Sequence, residues 1–519
     1  PLEGCFSSFL SLSPKTMEVT RENFDEACTK LEELLKGCSF VAFDEEMTGI
    51  RIDGTTEPAA GDTTEVRYAK MRRVATRYNI VQFGVCVFTE EGDEGGYEAH
   101  PFNFYVFPDA SSRDHSSTIT MSADTAGFLR SHGMDWKKWI DEGIPFTTLA
   151  AWRKAVDAAQ EKKEQQPGAG GGAGDRRVSI TSENDVVFLR DEMERVRGWY
   201  EAGHEEQLLL SPCNPFLRKA LYQELEAYGD VTTSSVKERE GDRNARIALN
   251  VYTDDQKAKL AEEALAAQLL ECDRRGGMCR VMRLLSESGR PLVGHNCMYD
   301  LMFMYSHFCD VLPDTVGEFK ERIHQVVPQV YDTKLISTSS PEWNDTVLES
   351  LHKEVSHKRT GGELRLAEGF QSYNEDSGRY HEAGYDAWIT GCVFARLGRE
   401  MLAQESPRMR NRLYLMRSMW SLNLSGEDEI SVEGTVLYCA FDDKAIKTPD
   451  IINAFQPKRA MVRWIDDLSC FVVLPEVKTT EEAIQVAEEA GTARDKGLTF
   501  VSLQDYLCGL GKRKRGEEG

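Results

Sequence analysis

Three short segments carry residue types that could do chemistry together. Asp44, Glu45 and Glu46 follow the apolar run Phe40-Val41-Ala42-Phe43, at the C-terminal end of an expected strand. Side chains alternate along a strand, so Asp44 and Glu46 should project from one face and Glu45 from the other. Two carboxylates on one face suit a hard cation. Asp300 ends the run Gly294-His295-Asn296-Cys297-Met298-Tyr299-Asp300, after a short apolar strand and at the opening of an apolar helix. His381 and Asp386 belong to His381-Glu382-Ala383-Gly384-Tyr385-Asp386, which opens another helix. Singly, these read as a chance acid pair, a helix cap and a structural histidine. Together, Asp44, Glu46, Asp300 and Asp386 could surround two Mg²⁺ ions, which in such sites lie about 3.5–4 Å apart. Four converging acids would repel one another without cations. His381, with an ordinary pKa of about 6.5, is suited to take a proton from an attacking water.

Distant segments must fold together to position these groups. Phe24, Cys28, Leu31, Leu34 and Leu35 recur at helical spacing within 20–37, and Gly37 is a plausible stop. Two β-branched and aromatic runs, 79–88 and 102–107, read as strands. The Gly-rich stretch 167–174 cannot bury a core and marks a boundary. Residues 178–230 are helix-like, 245–252 is a strand candidate, and 256–290 is helical up to a short strand at 291–294. Helical text resumes at 383–403. Beyond 425, strand-like runs at 435–441, 460–465 and 469–474 alternate with helical patterns near 449–456 and 480–490, which suits a small α/β sandwich.

The 519 residues (58.5 kDa) imply about three or four domains at roughly 100–200 residues each. A hydrophobic share of 41% and a charged share of 29% exclude wholesale disorder and a fibrous repeat. No stretch approaches the roughly 18 consecutive apolar residues of a membrane span, so a soluble chain is expected. Thirteen cysteines, scattered without CxxC pairs, argue against a disulfide framework or zinc ribbon and for a reducing compartment. The net charge of −24 says little about nucleic acid, because a phosphodiester partner needs only a local basic surface. The most basic window of the first third holds Arg67, Lys70, Arg72, Arg73 and Arg77 and is the expected electrostatic guide.

The order DxE, GHNxxxD, HxAGYD resembles the DEDDh branch of the DEDD 3′→5′ exonucleases. The chain is more closely similar to the poly(A)-specific ribonuclease family, from Met17 to about Leu507, through segments such as NIVQFGVCVF, FNFYVFP, PCNPFLRKALYQ, LVGHNCMYDLM, YDTKLI and HEAGYDAWITGCVF. The resemblance implies an α/β architecture: an N-terminal extension at 1–16; an RNase-H-like DEDD nuclease core at 17–166 and 256–424; a Gly-rich linker at 167–177 and a helical single-strand-binding insertion at 178–255 that split the core; an RNA-recognition-motif-like α/β domain at 425–507; and a basic tail at 508–519. It implies that Asp44, Glu46, Asp300 and Asp386 bind two Mg²⁺ ions, with Mn²⁺ as a substitute. His381 would be the general base in hydrolysis of poly(A) RNA from the 3′ end, releasing 5′-AMP. Lys334 aligns with an RNA-contacting lysine, although a surface lysine is its plain reading. A homodimer, with no membrane partner, is expected.

The insertion's Arg-xxx-His signature is half present, because Arg218 is followed four residues later by Tyr222. Arg218 and Lys219 remain as phosphate contacts, and Tyr222 could stack on a base or pack in the core. In the last domain Tyr438 and Phe471 are candidate base-stacking aromatics, with Ser469 where a further aromatic is expected. Trp464 aligns with a tryptophan that stacks the 7-methylguanosine cap, and a core role is the competing reading. Glu45 departs from the small residue usual between the paired acids and is expected to be paired, since an unpaired buried charge is costly. Lys512 to Arg515 could be a nuclear-import signal, leaving nucleus and cytoplasm both open. Two rival functions share the residues: a general DEDDh exonuclease trimming other 3′ ends, and a cap- or RNA-binding protein without activity. If the window at 67–77 guides RNA, neutralising Arg72 and Arg73 should weaken binding and flatten its salt dependence, measured by RNA titration at several ionic strengths.

Overall fold

The computed structural model describes residues 18–516, apart from 53, 55, 60, 92–95, 109–117, 165–177, 204–205, 237–243, 341, 344, 359–361, 372, 374–377, 405, 431–433 and 490. The N-terminal extension at 1–16 and the Gly-rich linker at 167–177 lie outside the described residues, as do the side chains of Lys512 to Arg515. The chain divides into two compact units, one formed by residues 1–151 and 275–519, the other by 152–274. Among the described residues, no helix is long and apolar enough to cross a membrane.

The larger unit is built on a seven-stranded mixed sheet. Its three long strands, Phe40–Met47, Ile80–Glu91 and Gly96–Tyr105, are antiparallel neighbours. Beyond Phe40–Met47 the sheet continues with two short parallel strands, Leu292–Gly294 and Val330–Asp332. Glu18–Val19 and Leu364–Leu366 both add in parallel to Gly96–Tyr105, at different places along it. The long strands read as nearly continuous apolar runs because both faces are covered. On one face Phe40 and Phe88 meet helix Ala383–Gln404, with Phe40 stacked on Phe88 at 4.7 Å and edge-on to Phe394 at 4.9 Å. On the other, Phe104 meets Phe24 of helix Phe24–Gly37, and Phe83 meets Phe308.

The same unit contains a four-stranded antiparallel sheet in the order Met461–Asp466, Ser469–Leu474, Thr435–Ala440, Thr499–Ser502. Helices Thr448–Asn453 and Thr480–Glu489 lie between its strands in the sequence, and Ile451, Ala483 and Ala487 from them join Leu437, Cys470 and Val472 in one core. Its last strand, Thr499–Ser502, escapes the sequence pattern because only four residues separate a turn from the next helix.

The smaller unit, expected to be helical, also holds a three-stranded antiparallel sheet: Leu208–Leu209, Arg246–Val251 and Val231–Val236. Its helices Glu183–Glu201 and Pro215–Leu225 share a core of Val196, Leu217, Leu221, Ile247 and Leu249. The strand Val231–Val236, with the sequence VTTSSV, is mostly polar, which hides it from a hydrophobic reading.

One close approach sets the position of helix Ala383–Gln404. A Cβ at Gly84 would lie 1.9 Å from the Ala383 carbonyl oxygen, so only glycine lets the strand and the helix start meet there. Gly84→Ala should therefore destabilise the protein by about 1–3 kcal/mol or more, read as a lower urea midpoint. It should also depress activity, because His381 and Asp386 flank the displaced helix start.

Candidate active site

The strand Phe40–Met47 ends in the acids. Asp44 and Glu46 are half-buried on the face that meets helix Ala383–Gln404, while Glu45 is buried on the opposite face. Pairing with Ile80–Glu91 shifts register between Glu46 and Met47, a bulge of the kind that re-aims side chains beside active sites.

Asp300 sits in the first turn of helix Met298–Met304, whose approach is held by a buried aspartate the sequence reading passed over. Asp332 Oδ1 accepts from Asn296 N at 2.8 Å and from Lys334 N at 2.9 Å, and its Oδ2 accepts from Tyr414 N at 2.9 Å. This carboxylate is fully buried. Burial raises its pKa to about 6, with the backbone N–H groups opposing the rise. It ties three segments to one point, and Asn296 beside it takes a left-handed φ of 58°. The only sequence signal for Asp332 is its place at the N-cap of helix Thr333–Thr338.

His381 and Asp386 are placed by the start of helix Ala383–Gln404. Two sheet side chains satisfy its first N–H groups: Gln82 Oε1 accepts from Ala383 N at 3.4 Å, and Asn103 Oδ1 from Gly384 N at 3.2 Å. His381 adopts a left-handed φ of 70°, and its N–H donates to Asp386 Oδ2 at 2.9 Å. The other oxygen, Asp386 Oδ1, is buried with no hydrogen-bond partner among the described residues.

These segments converge. One ligand atom each from Glu46, His381 and Asp386 lie within 4.8 Å of one another. Burial, then the charges of Asp386, Asp300 and Glu46, push the Asp44 carboxyl well above its ordinary pKa. Burial, with Asp386 and Asp300, does the same to Glu46. Asp300 and Asp386 are each raised to about 7, chiefly by burial. The sheet thus brings Asp44, Glu46, Asp300 and Asp386 into one electrostatic cluster with His381 at its edge. An acceptor-only oxygen set, one member of it orphaned and buried, fits divalent cations of the Mg²⁺ class.

His381 stays open to solvent, and its pKa is lowered by partial burial of the ring and by His132. Its ring meets Phe128 at 4.7 Å and His132 at 4.4 Å, both edge-on, and the last two are 4.3 Å apart. Phe128 and His132 belong to helix Ala123–Ser131 and its C-cap, a weakly patterned segment that sequence reading left aside. The 42% exposure of Phe128 was the one signal available, and it exists only in the fold.

Other expected residues fall elsewhere. Glu45 finds no partner among the described residues: both carboxyl oxygens are buried without a hydrogen bond, so the expected pairing is corrected. Burial, then the charge of Asp300, push its pKa well up, which favours the neutral acid. Lys334 donates to the Thr346 carbonyl at 2.6 Å with its ammonium 5.9 Å from the Tyr414 ring centre. In the basic window, Arg67 is buried against Asp62 and the Met416 carbonyl, Lys70 pairs with Asp62 at 2.7 Å, and Arg72 pairs with Asp314 at 2.8 Å. Arg73 and Arg77 remain exposed. In the smaller unit Arg218 donates to the Cys213 carbonyl at 3.2 Å, Lys219 is exposed, and Tyr222 packs on the core.

Two aromatics of the four-stranded sheet, Tyr438 and Phe471, are covered. Tyr438 stacks on Tyr506 at 4.3 Å, and Phe471 meets Tyr506 edge-on at 5.3 Å within a cluster that includes Met419 and Leu503. Tyr438 and Phe471 therefore pack against their own chain, and Ser469 is buried. Trp464 is half-buried on the sandwich core, its Nε1 donating to Thr448 Oγ1 at 3.0 Å and its ring edge-on to Phe441 at 5.7 Å.

Comparison with known proteins places this site in context. Residues 19–394 match the CAF1 family ribonuclease. The poly(A)-specific ribonuclease PARN of Xenopus laevis is 31% identical, over 97% of this chain and 84% of its own. That of Homo sapiens is 30% identical, over 96% and 81%. The pre-piRNA 3′-exonuclease trimmer of Bombyx mori is 27% identical, over 74% and 71%. Among solved structures, the Mg²⁺- and Mn²⁺-bound form of Pop2p from S. pombe is similar over 76% of this chain and 98% of that chain, at 14% identity and a TM-score of 0.37.

A carboxyl whose pKa is raised by folding holds its proton more tightly folded than unfolded. The metal-free protein should therefore lose stability as pH climbs from about 4 toward the value of about 7 reached by Asp300 and Asp386. A cation offsets the repulsion only once the acids ionise. Adding Mg²⁺ should raise the melting temperature clearly at about pH 8 and little at about pH 5, measured by thermal unfolding with and without the metal. A shift independent of pH would contradict the cluster as described.

Proposed function

The chain belongs to the CAF1 family of ribonucleases, and from that footing we propose that it is a poly(A)-specific 3′→5′ exoribonuclease that shortens RNA tails and releases 5′-AMP. The observation that carries the reading is the meeting of Glu46, His381 and Asp386 ligand atoms within 4.8 Å, from segments far apart in the chain. Asp44, Glu46, Asp300 and Asp386 would hold two Mg²⁺ ions. When bound, these supply charge neutralisation and Lewis-acid polarisation for in-line attack at a phosphodiester.

The protein's own residues do the rest. His381, its pKa lowered, is neutral at physiological pH, and a ring nitrogen can take the proton of the attacking water. The backbone N–H of His381, bonded to Asp386, fixes the turn that presents the imidazole beside that carboxylate. Phe128 and His132 wall the imidazole and leave apolar ring surface where a terminal base could stack. Asp332 keeps the turn leading to Asp300 in register with the start of the Lys334 helix.

The three antiparallel and two parallel strands are read as an RNase-H-like core, and the four-stranded sheet as an RNA-recognition-motif-like module. With Tyr438 and Phe471 covered, that module would meet RNA or a cap at another surface, and the partly open indole of Trp464 is the candidate for a cap. A second reading, trimming of other 3′ ends, is favoured by the likeness to a pre-piRNA trimmer.

The purified chain with 5′-labelled A-, C- and U-tailed RNAs, with and without Mg²⁺, separates these. Metal-dependent loss of A tails ahead of the others is expected, and equal rates would favour the general trimmer. Asp44→Asn should lower AMP release on the order of 10³-fold without lowering the melting temperature. An unaffected rate would reject the mechanism.

A further inference from the structure

A cavity of about 380 Å³ lies at the head of strand Ile80–Glu91, lined by Arg77, Tyr78, Asn79, Thr120, Phe146 and His307 among others, with no acidic side chain among the described residues of its wall. It shares no residue with the carboxylate cluster, yet the two are joined through one threonine. Thr48, two positions beyond Glu46, donates its N–H to the Asn79 carbonyl at 2.8 Å. Its hydroxyl oxygen accepts from Asn79 N at 2.9 Å and donates to the Thr120 carbonyl at 2.6 Å. The cavity wall is thereby in register with the strand end that carries Asp44 and Glu46.

Its chemistry is specific. Asn79 is only 9% exposed, and its side-chain Oδ1 has no hydrogen-bond partner among the described residues. A buried amide left unsatisfied is costly, and such groups normally find a partner. A planar amide offers a donor and an acceptor side by side, the pattern that matches N6 and N7 of adenine. Arg77 is exposed, with its guanidinium carbon 5.9 Å from the Tyr78 ring centre, and a guanidinium is the side chain best shaped for phosphate. Tyr78 and Phe146 add aromatic surface. The volume lies within the range of small-molecule sites, about 300–1,000 Å³. In a chain of net charge −24, a cavity whose described wall holds a cation and no carboxylate is a suitable seat for an anion.

We propose that this cavity is a second nucleotide site that binds an adenosine 5′-phosphate unit, with the Asn79 amide reading the adenine edge and Arg77 holding the phosphate. The inference rests on the deadenylase reading, because the ligand is either a nucleotide of the tail or the released 5′-AMP.

The test is calorimetric titration of the full chain with 5′-AMP, 5′-UMP and inorganic phosphate, in EDTA so that the carboxylate cluster holds no metal. AMP should bind at least about tenfold more tightly than UMP or phosphate, and Arg77→Ala should weaken AMP about tenfold. Asn79→Ala should abolish the preference of AMP over UMP. Arg77 lies at the surface, so its variant keeps the test usable if Asn79→Ala fails to fold, as thermal melting would reveal. Degradation assays then separate the two sources. If the pocket takes released AMP, added AMP slows the wild type and Arg77→Ala is resistant. If it takes a tail nucleotide, Arg77→Ala raises KM for A-tailed RNA more than it lowers kcat. AMP bound no more tightly than UMP, or bound equally by wild type and both variants, overturns the proposal. Equal degradation of A- and U-tailed RNA would instead remove the deadenylase reading while leaving the binding result standing.

Discussion

Mutual repulsion among buried carboxylates is the constraint around which this protein is organised. Asp44, Glu46, Asp300 and Asp386 each have a pKa raised by burial, and Asp44 is raised further by the other three. A fold that gains stability by burying apolar surface has no reason to gather four acids at one strand end unless they hold a cation. The surrounding structure can be understood as what keeps that unfavourable cluster assembled. The sheet supplies two acids from one strand, and the helix starts at Met298 and Ala383 bring one each.

The holding devices are mostly backbone hydrogen bonds to buried polar side chains. Asp332 gathers the turn before Asp300, the start of the Lys334 helix and Tyr414. Gln82 and Asn103 cap the helix that carries Asp386. Gly84 lets that helix approach the sheet closely enough for those caps to reach. A buried polar atom with fixed partners is stiff, since losing the bond leaves a desolvated group unpaired. Rigidity of this kind suits chemistry that depends on holding reacting groups in place.

Glu45 is the informative exception. It sits between two site acids, buried and without a hydrogen bond among the described residues. Strand alternation turns it away from the cluster, and burial with the charge of Asp300 pushes its pKa well up. The expected ion pair does not form among the described residues. Similarly, the basic window at 67–77 reads as a charged surface but is divided by the fold: Arg67, Lys70 and Arg72 bind within the protein, and only Arg73 and Arg77 face outward.

Local order was legible in the sequence wherever one period dominates. The alternation that sets Asp44 and Glu46 on one face follows from strand geometry alone. The apolar spacing of Phe24, Cys28, Leu31 and Leu35 likewise sets the inner face of its helix. The short strand at 499–502 and the polar strand at 231–236 carry too little hydrophobic pattern to be read this way. Only the tertiary structure decided what meets what: Asp386 against Glu46, Phe128 and His132 against His381, Tyr506 over Tyr438, and Asn79 in the wall of a cavity. Contacts between distant segments depend on packing and on which polar groups remain unsatisfied, and no local period encodes either.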